Sequence, residues 1–548
     1  MSVQLGIIII VCALLVNIFM EKKQHTQTDD VINDVYDYIV VGGGTAGSII
    51  ATRLSEDAAT SVLLIEAGVF HPLGFQHNIP YIFDGGYYTV SQKHSHKGFN
   101  DQKSYWPRGR VLGGSGNINA MQYTRGSPWN YEEWKKAGCD GWGYRDVLPY
   151  FIKSEDMQLP EFVSSPFHGK GGPLAVSSGY QSEATQLFFH AGQELGYNRT
   201  DYNGYDQEGF GVLQTNIRNG VRSSASFEYL RKARYRPNLH VSLRSFVTKI
   251  SIKANRAVGV YFVKDSRKHY VSTRKEIILS AGTINSPQLL MLSGIGPKTH
   301  LQELDIPVVA DLPVGENLQD HLGLFMPSKT DKVETLNADL MQSKGHIYPD
   351  IQIINIFALL PNLFGFTEAT AREIVPEPGN GFTIYILITK PLSRGSIKLR
   401  SKDAFDYPLI DPNYLSDTRD VKTLVGGVRI WEKILQTRPY QNMGLKEDEH
   451  KMSFCSQHEF RSNAYWECYI RHVAITTYHP TSTCKMDPEN DPSTVVDTQL
   501  RVKGIKGLRV VDASIFPNIT SGNTNIPTVM VAERAADFIR GVDSATYL

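Results

Sequence analysis

Tyr38 to Val41 is an unbroken apolar run of strand length, and it stops on three consecutive glycines, Gly42 to Gly44. Helical spacing then takes over, and Ser48 to Leu54 reads as a helix. A second apolar run, Val62 to Ile65, ends on Glu66. Continuous rather than alternating apolar runs are the mark of strands covered on both faces, as in a parallel sheet. His240 to Leu243, Glu276 to Ala281 and Leu508 to Asp512 read as further strands of the same kind. Gly282 turns the chain after the second of these, Ser286 is expected to cap a helix with Pro287 at its first position, and Gly294 and Gly296 end it. Thr528 to Arg540 reads as the last helix, with Pro527 in its first turn and Gly541 beyond its end. Ile384 to Leu387, Ser396 to Arg400 and Tyr407 to Ile410 read as strands of a second sheet, and Asp420 to Gln436 as a helix.

The N-terminus follows a different pattern. Residues 5–20 form an apolar run interrupted only by Asn17, short of the roughly 20 residues that span a bilayer. The run reads as a secretion signal over residues 1–20, with an uncleaved membrane anchor or a buried helix as the alternatives. No Lys or Arg precedes it, Lys22 and Lys23 follow it, and residues 21–35 read as a polar linker. Of five cysteines, Cys455 and Cys468 are close enough in sequence to close a short loop in an oxidising compartment. Asn198 and Asn518 each begin a glycosylation tripeptide, Asn198 in a polar stretch and Asn518 in a segment expected to be buried. The placement is therefore secreted or extracellular, with anchoring through residues 5–20 as the alternative.

Lys plus Arg and Asp plus Glu both number 56 in a chain of 548 residues, so the net charge is zero. Dedicated nucleic-acid binding needs a basic stripe, and none is expected here. A chain this long exceeds one simple core, so two domains are expected. No C-x-x-C pair occurs and no histidines show the spacing of a helix-borne metal site, so no metal is expected. His71, His77, His94 and His96 read as members of a solvated loop, and His472 as structural.

Gly42, Gly44 and Gly47 form G-x-G-x-x-G between a strand and a helix, with Thr45 and Ala46 in the turn and Glu66 ending the next strand. Glycines let the backbone approach a pyrophosphate, the helix N-terminus offers free N–H groups, and the acid can accept from ribose hydroxyls. The unit implies dinucleotide binding, and its place near the start of the chain leans toward FAD over NAD.

Four further blocks follow in order: Trp106 to Asn119, Gly282 to Gly296, Tyr478 to Met486 and Leu508 to Pro527. With the glycine-rich opening they resemble the glucose–methanol–choline (GMC) oxidoreductase family, in its insect glucose-dehydrogenase-like branch, from residue 36 to about 540. The resemblance implies an α/β fold, an FAD-binding Rossmann-like domain with a second, substrate-binding domain built on an antiparallel sheet. It implies FAD as cofactor. It assigns 36–158, 225–322 and 485–548 to the FAD-binding domain, and 159–224 and 323–484 to the substrate domain. Arg110, Gly114, Asn117 and Asn119 would lie along the cofactor, Val247 at the adenine, and Asp512 and Ala513 beside the diphosphate and ring. Thr524 and Asn525 would also touch the cofactor. No histidine is close to the Gly109–Asn119 loop, which favours non-covalent FAD.

Oxidising an alcohol with a flavin requires a base for the hydroxyl proton, and histidine is suited to it near neutral pH. By resemblance that base is His479, and its partner is Asn523, with Asn525 the fallback if the register slips by two. The reading is an FAD-dependent dehydrogenase or oxidase of a small alcohol or sugar, passing electrons to a quinone-like acceptor or oxygen. A lyase that keeps FAD, or a secreted flavoprotein without redox activity, are the alternatives. Three departures from the family pattern stand out. Ser482 occupies a usual glycine position, 324–348 looks short and polar, and Gln76 to Lys103 looks irregular and mobile. Asn317 to His321 resembles a family hinge rather than a site.

Overall fold

The computed structural model describes residues 32–70, 84–178, 183–329, 340–344, 349–356, 365–374, 381–442, 444, 451–488 and 491–542. The apolar run at 5–20, most of the linker, His71 and His77 lie outside the described residues.

The first of two main sheets has seven strands. Val35–Val41 runs parallel to Val62–Ile65 on one side and to Arg267–Leu279 on the other. Leu239–Ser242 extends the parallel set beyond Val62–Ile65, and Leu508–Val510 pairs in parallel with the end of Arg267–Leu279. Ser245–Lys253 and Arg256–Lys264 add an antiparallel flank. Ile39, Val40, Leu63, Leu64, Ile277 and Ile278 are fully buried, as a sheet covered on both faces demands. Thr45–Leu54 packs close to the first strand, because Gly47 has no Cβ; one there would sit 1.9 Å from the Gly42 carbonyl oxygen. The last helix, Asn525–Arg540, docks on Thr45–Leu54, where Arg53 donates to both carboxylate oxygens of Glu533 at 3.0 and 2.8 Å.

The second sheet has six antiparallel strands in the order Ile475–Thr476, Leu322–Lys329, Gly381–Ile388, Pro349–Ile356, Leu340–Lys344, Gly209–Gly211. Helix Thr418–Leu435 lies against it, with Gly427 where a Cβ would come within 2.6 Å of Ile386. Each sheet has its own apolar cluster. Leu174 and Val176 pack into the first, and Phe188, Tyr202 and Phe210 into the second.

Several expectations need correction. Ser396–Lys398 and Leu409–Asp411 pair only with each other, so of the three strands assigned to the second sheet only Gly381–Ile388 enters it. Within 324–348, short and polar as it is, Leu340–Lys344 still forms a strand paired on both sides. The helix after Gly282 starts at Gly282, so Pro287 lies inside it, and Ser286 is not its cap. Proline lacks the N–H that would serve the carbonyl four residues back. That carbonyl, of Thr283, accepts from Thr483 Oγ1 at 2.7 Å instead. The expected link between Cys455 and Cys468 is present as a disulfide.

The described part of the segment up to Lys103 is built into the protein rather than free. Tyr87–Tyr88 pairs with Tyr105–Trp106, and Gln92, Ser95 and Phe99 are buried. His96 is fully buried, its ring 4.4 Å from Phe99 and 5.4 Å from Tyr414, so aromatic packing and not solvation holds it. Burial pushes its pKa down to about 3. The unfolded chain, with an ordinary histidine near 6.5, then binds the extra proton, so stability is lost as pH falls from about 6.5 toward 3. At pH 5 the expected cost from this one residue is about 2 kcal/mol. His96→Asn, which suits the left-handed backbone at this position (φ +56°), should flatten the fall of melting temperature between pH 7 and pH 5. An unchanged slope would refute the assignment to His96.

Candidate active site

The C-terminal ends of the parallel strands open into one cavity of about 680 Å³, where open α/β sheets bind ligands. Its size suits a cofactor or small-molecule site. Val41 and Gly42, Ile65 and Glu66, Ser280 and Asp512 line it, each at or just beyond a strand end. Three helix N-termini also border it, at Gly44, Ala281 and Thr524. At Ala281 the end is taken, since Ser286 Oγ accepts from Ala281 N at 3.1 Å and Asp512 from Gly282 N at 2.9 Å, whereas Gly44 and Thr524 bring no side-chain cap and leave backbone N–H groups for an anion.

The floor is shaped by missing side chains. Gly44 and Gly114 face one another, and a Cβ on Gly114 would lie 2.9 Å from the Gly44 Cα. A Cβ on Gly44 would meet nothing nearer than 4.0 Å, so that direction is open. Glu66 is buried, and its carboxylate accepts from the N–H of Gly43 and of Gly68, both at 2.7 Å. Burial raises its pKa, and the two N–H groups oppose that. Asp512, also raised by burial, accepts from Ser286 Oγ at 2.6 Å and Gly282 N at 2.9 Å. Thr45 Oγ1 donates to Asn525 Oδ1 at 2.8 Å, tying the first helix to the last at the cavity wall. A bare glycine floor, free N–H groups and a wall carboxylate fit a dinucleotide with a diphosphate.

Most residues expected at the cofactor line this cavity: Gly42, Gly44, Thr45, Ala46, Glu66, Arg110, Gly114, Asn119, Val247, Asp512, Ala513, Thr524 and Asn525. Two are placed elsewhere. Gly47 lies behind Gly42 as a packing contact. Asn117 is buried under the loop, where its amide donates to Leu112 O at 2.7 Å and accepts from Ser226 Oγ at 3.1 Å. The amide of Asn117 fills the space a Gly113 side chain would need. Asn119 Oδ1 and O accept from Arg222 at 2.6 and 2.8 Å, and Oδ1 also from Met121 N at 2.9 Å.

His479 and Asn523 meet at the same cavity. Asn523 Nδ2 lies 3.1 Å from His479 Nε2, and Asn523 Oδ1 accepts from Thr124 Oγ1 at 3.3 Å. The register is therefore that of Asn523, with Asn525 committed to Thr45. Burial, with His321 and Arg108 nearby, holds the His479 pKa well below 6.5. The loop carrying His479 is anchored from three sides. Asp320 Oδ1 accepts from the His479 N–H at 2.8 Å, and Arg108 Nη1 donates to Tyr478 O at 2.8 Å. His321 Nδ1 lies 3.0 Å from His479 Nδ1.

Asp320, with Tyr414 OH and Thr476 Oγ1 also donating to it, is pushed up to about 6 by its burial. Sequence reasoning missed Arg108, Thr124, Asp320 and His321. The one signal for the last two was an Asp-His pair inside the apolar frame Leu318, Leu322 and Leu324, which the hinge reading absorbed.

Ser482 stands at φ +79°, the left-handed backbone that glycine adopts without cost, and Tyr478 at φ +62°. A left-handed L-residue costs roughly 1–2 kcal/mol, and glycine returns part of that through the unfolded chain. Ser482→Gly is expected to stabilise the protein by about 0.5–1 kcal/mol, read as a rise in the thermal midpoint. A fall would show that the Ser482 hydroxyl, 2.9 Å from Thr481 Oγ1, outweighs the backbone strain.

Known proteins show the same plan. Residues 36–323 and 391–532 match two family models, both described as GMC oxidoreductase. The chain is 39% identical to glucose dehydrogenase [FAD, quinone] of Drosophila pseudoobscura pseudoobscura, over 92% of this chain and 87% of that one. It is 37% identical to human mitochondrial choline dehydrogenase, over 93% and 90% respectively. Among solved structures, pyridoxine 4-oxidase from Mesorbium loti superposes with a TM-score of 0.81 at 31% identity, covering 91% of this chain and 98% of that one.

Proposed function

The chain belongs to the GMC oxidoreductase family and its cofactor is FAD, and on that premise we propose that it oxidises a small alcohol or sugar at a CH–OH group with His479 as the base. The observation that carries this is the His479–Asn523 pair, 3.1 Å apart on the wall of the cavity that the dinucleotide unit opens into.

Bound FAD supplies an acceptor for the hydride that leaves the carbinol carbon. The protein supplies everything else. Gly44, Gly114 and the helix N-termini at Gly44 and Thr524 would hold the diphosphate, and Glu66 would lie toward the adenosine ribose. His479, neutral at pH 7 because burial lowers its pKa, takes the hydroxyl proton on Nε2. Asn523, held by Thr124, keeps an N–H on His479 Nε2 in the empty site, and when the substrate hydroxyl takes that place the same N–H turns to steady the developing alkoxide. Loss of one proton and one hydride leaves a carbonyl product.

Phe325, Tyr385, Leu387 and Ile475 line the same cavity as His479 and give it apolar surface. A quinone-like molecule or oxygen is the proposed electron acceptor. The protein is proposed to be secreted, supported by the Cys455–Cys468 disulfide and by Asn198 standing exposed in its tripeptide. No helix of the described residues is long and apolar enough to cross a membrane.

The test is anaerobic. The FAD-loaded protein is mixed with sugars and alcohols while flavin absorbance is followed, and bleaching by one donor is the expected result. Admitting oxygen or a quinone afterwards identifies the acceptor. A yellow protein that no donor bleaches, and that instead cleaves a cyanohydrin, would replace the oxidoreductase reading with the lyase one.

A further inference from the structure

We infer that His321 is a positioning residue that sets the tautomer of His479, so that Nε2 and not Nδ1 presents its lone pair to the cavity. The inference rests on His479 being the base.

It follows from counting protons around one nitrogen. His479 Nδ1 has two polar neighbours, His321 Nδ1 at 3.0 Å and Thr477 Oγ1 at 2.9 Å. His321 has already spent its proton, and the Thr477 hydroxyl has a second acceptor within reach. His321 Nε2 lies 3.0 Å from Thr389 O, and a carbonyl oxygen can only accept, so the His321 proton is on Nε2. Thr477 Oγ1 lies 3.2 Å from His321 O, the acceptor for its hydrogen when Nδ1 is protonated. His321 Nδ1 therefore meets His479 Nδ1 with a lone pair, two facing lone pairs 3.0 Å apart would repel, and the hydrogen belongs on His479 Nδ1, with the Thr477 hydroxyl turned to His321 O.

A doubly protonated His321 would break this count, and its surroundings exclude it. The ring is fully buried. It faces His479 and the carbonyls of Thr389 and Thr520, with no carboxylate among the groups that shift it, and burial pushes its pKa down to about 4. The neighbouring Asp320 turns its carboxylate to Thr476, Tyr414 and the His479 N–H, with Arg108 beside it. The rings of His321 and His479 stand at 89° with centroids 5.2 Å apart, so His321 meets His479 with a nitrogen, not with a stacked face. On the far side, the amide of Asn523 points its Nδ2 at His479 Nε2, because its oxygen is taken by Thr124. An N–H donor there demands a bare Nε2. Both ends of the imidazole thus select the same tautomer, as the orienting partner of a catalytic histidine does elsewhere.

Two substitutions separate this role from simple anchoring. His321→Asn keeps an acceptor near the Nδ1 position and gives up the donor to Thr389. His321→Gln reaches Thr389 with its amide N–H and gives up the acceptor facing His479. The tautomer role predicts that Asn stays within about threefold of the parent in donor-driven FAD bleaching, while Gln loses on the order of 100-fold in kcat with KM little changed. The reverse order would overturn the inference in favour of anchoring.

A second readout does not depend on activity. In FAD-loaded protein labelled with 15N-histidine, the signal that disappears in His479→Gln is expected to show a protonated Nδ1 and a bare Nε2. An Nε2-protonated His479 in the parent protein would overturn the inference even if neither His321 variant folds. If His479→Gln bleached at the parental rate, the base assignment would fail, while the tautomer readout would stand on its own.

Discussion

His479→Gln is expected to slow donor-driven bleaching of bound FAD by roughly 10²–10⁴-fold, the usual worth of a positioned general base. Glutamine keeps the bulk and polarity of the position but cannot take a proton at neutral pH. The protein should stay folded and yellow, because His479 touches Asn523, Thr477 and His321 and not the glycine floor. The parent enzyme should also show the sign of the pKa shift. Burial and the neighbouring His321 and Arg108 hold His479 well below 6.5, so the base is unprotonated at pH 7 and the acid limb of kcat/KM lies below pH 6.5. Anaerobic stopped-flow across pH measures both. A loss smaller than tenfold would remove His479 from proton abstraction.

The second large effect concerns the cofactor and separates binding from folding. In Gly44→Val the new side chain projects toward open space, with only the Gly114 Cα at 4.0 Å. The backbone there, at φ −71°, accepts any residue. The variant should therefore fold with the thermal midpoint of the FAD-free parent, yet purify colourless, because its methyl groups would occupy the floor proposed to hold the diphosphate. In Gly47→Ala the Cβ would stand 1.9 Å from the Gly42 carbonyl, so the first helix must leave the first strand. Overpacking of that kind costs about 1–3 kcal/mol or more, and the FAD-free protein itself should melt earlier. Flavin content and apo-protein melting distinguish the two. A yellow Gly44→Val protein with parental affinity would place the diphosphate elsewhere.

Much of this architecture was legible in the chain. Tyr38 to Val41, Val62 to Ile65 and the glycines between them are local features, and their physics is local. An apolar run of four is a buried strand, and a glycine allows the turn or approach that a Cβ forbids. The same holds for the last helix, with Gly541 at its left-handed end. His96 was misread for the opposite reason. Its polar neighbours in sequence suggest solvent, but Phe99, Tyr414 and the covering chain come from tertiary packing. Ser286 was misread because an N-cap pattern is only a propensity, and the carboxylate of Asp512, more than two hundred residues away, recruits its hydroxyl.

The sequence by itself determined the dinucleotide unit and the family, and singled out His479 and Asn523 as the proposed pair, since each rests on residue types at short fixed spacings. Only the tertiary structure decided the register and the protonation of the site. Asn523 rather than Asn525 faces His479 because Arg53 and Glu533, and Thr45 and Asn525, lock the last helix against the first. The inferred proton on His479 Nδ1 depends on His321 and, behind it, Thr389. Hydrogen-bond partners so far apart along the chain leave no mark in local pattern; folding brings them together, and burial makes each unsatisfied donor or acceptor costly enough to select one arrangement.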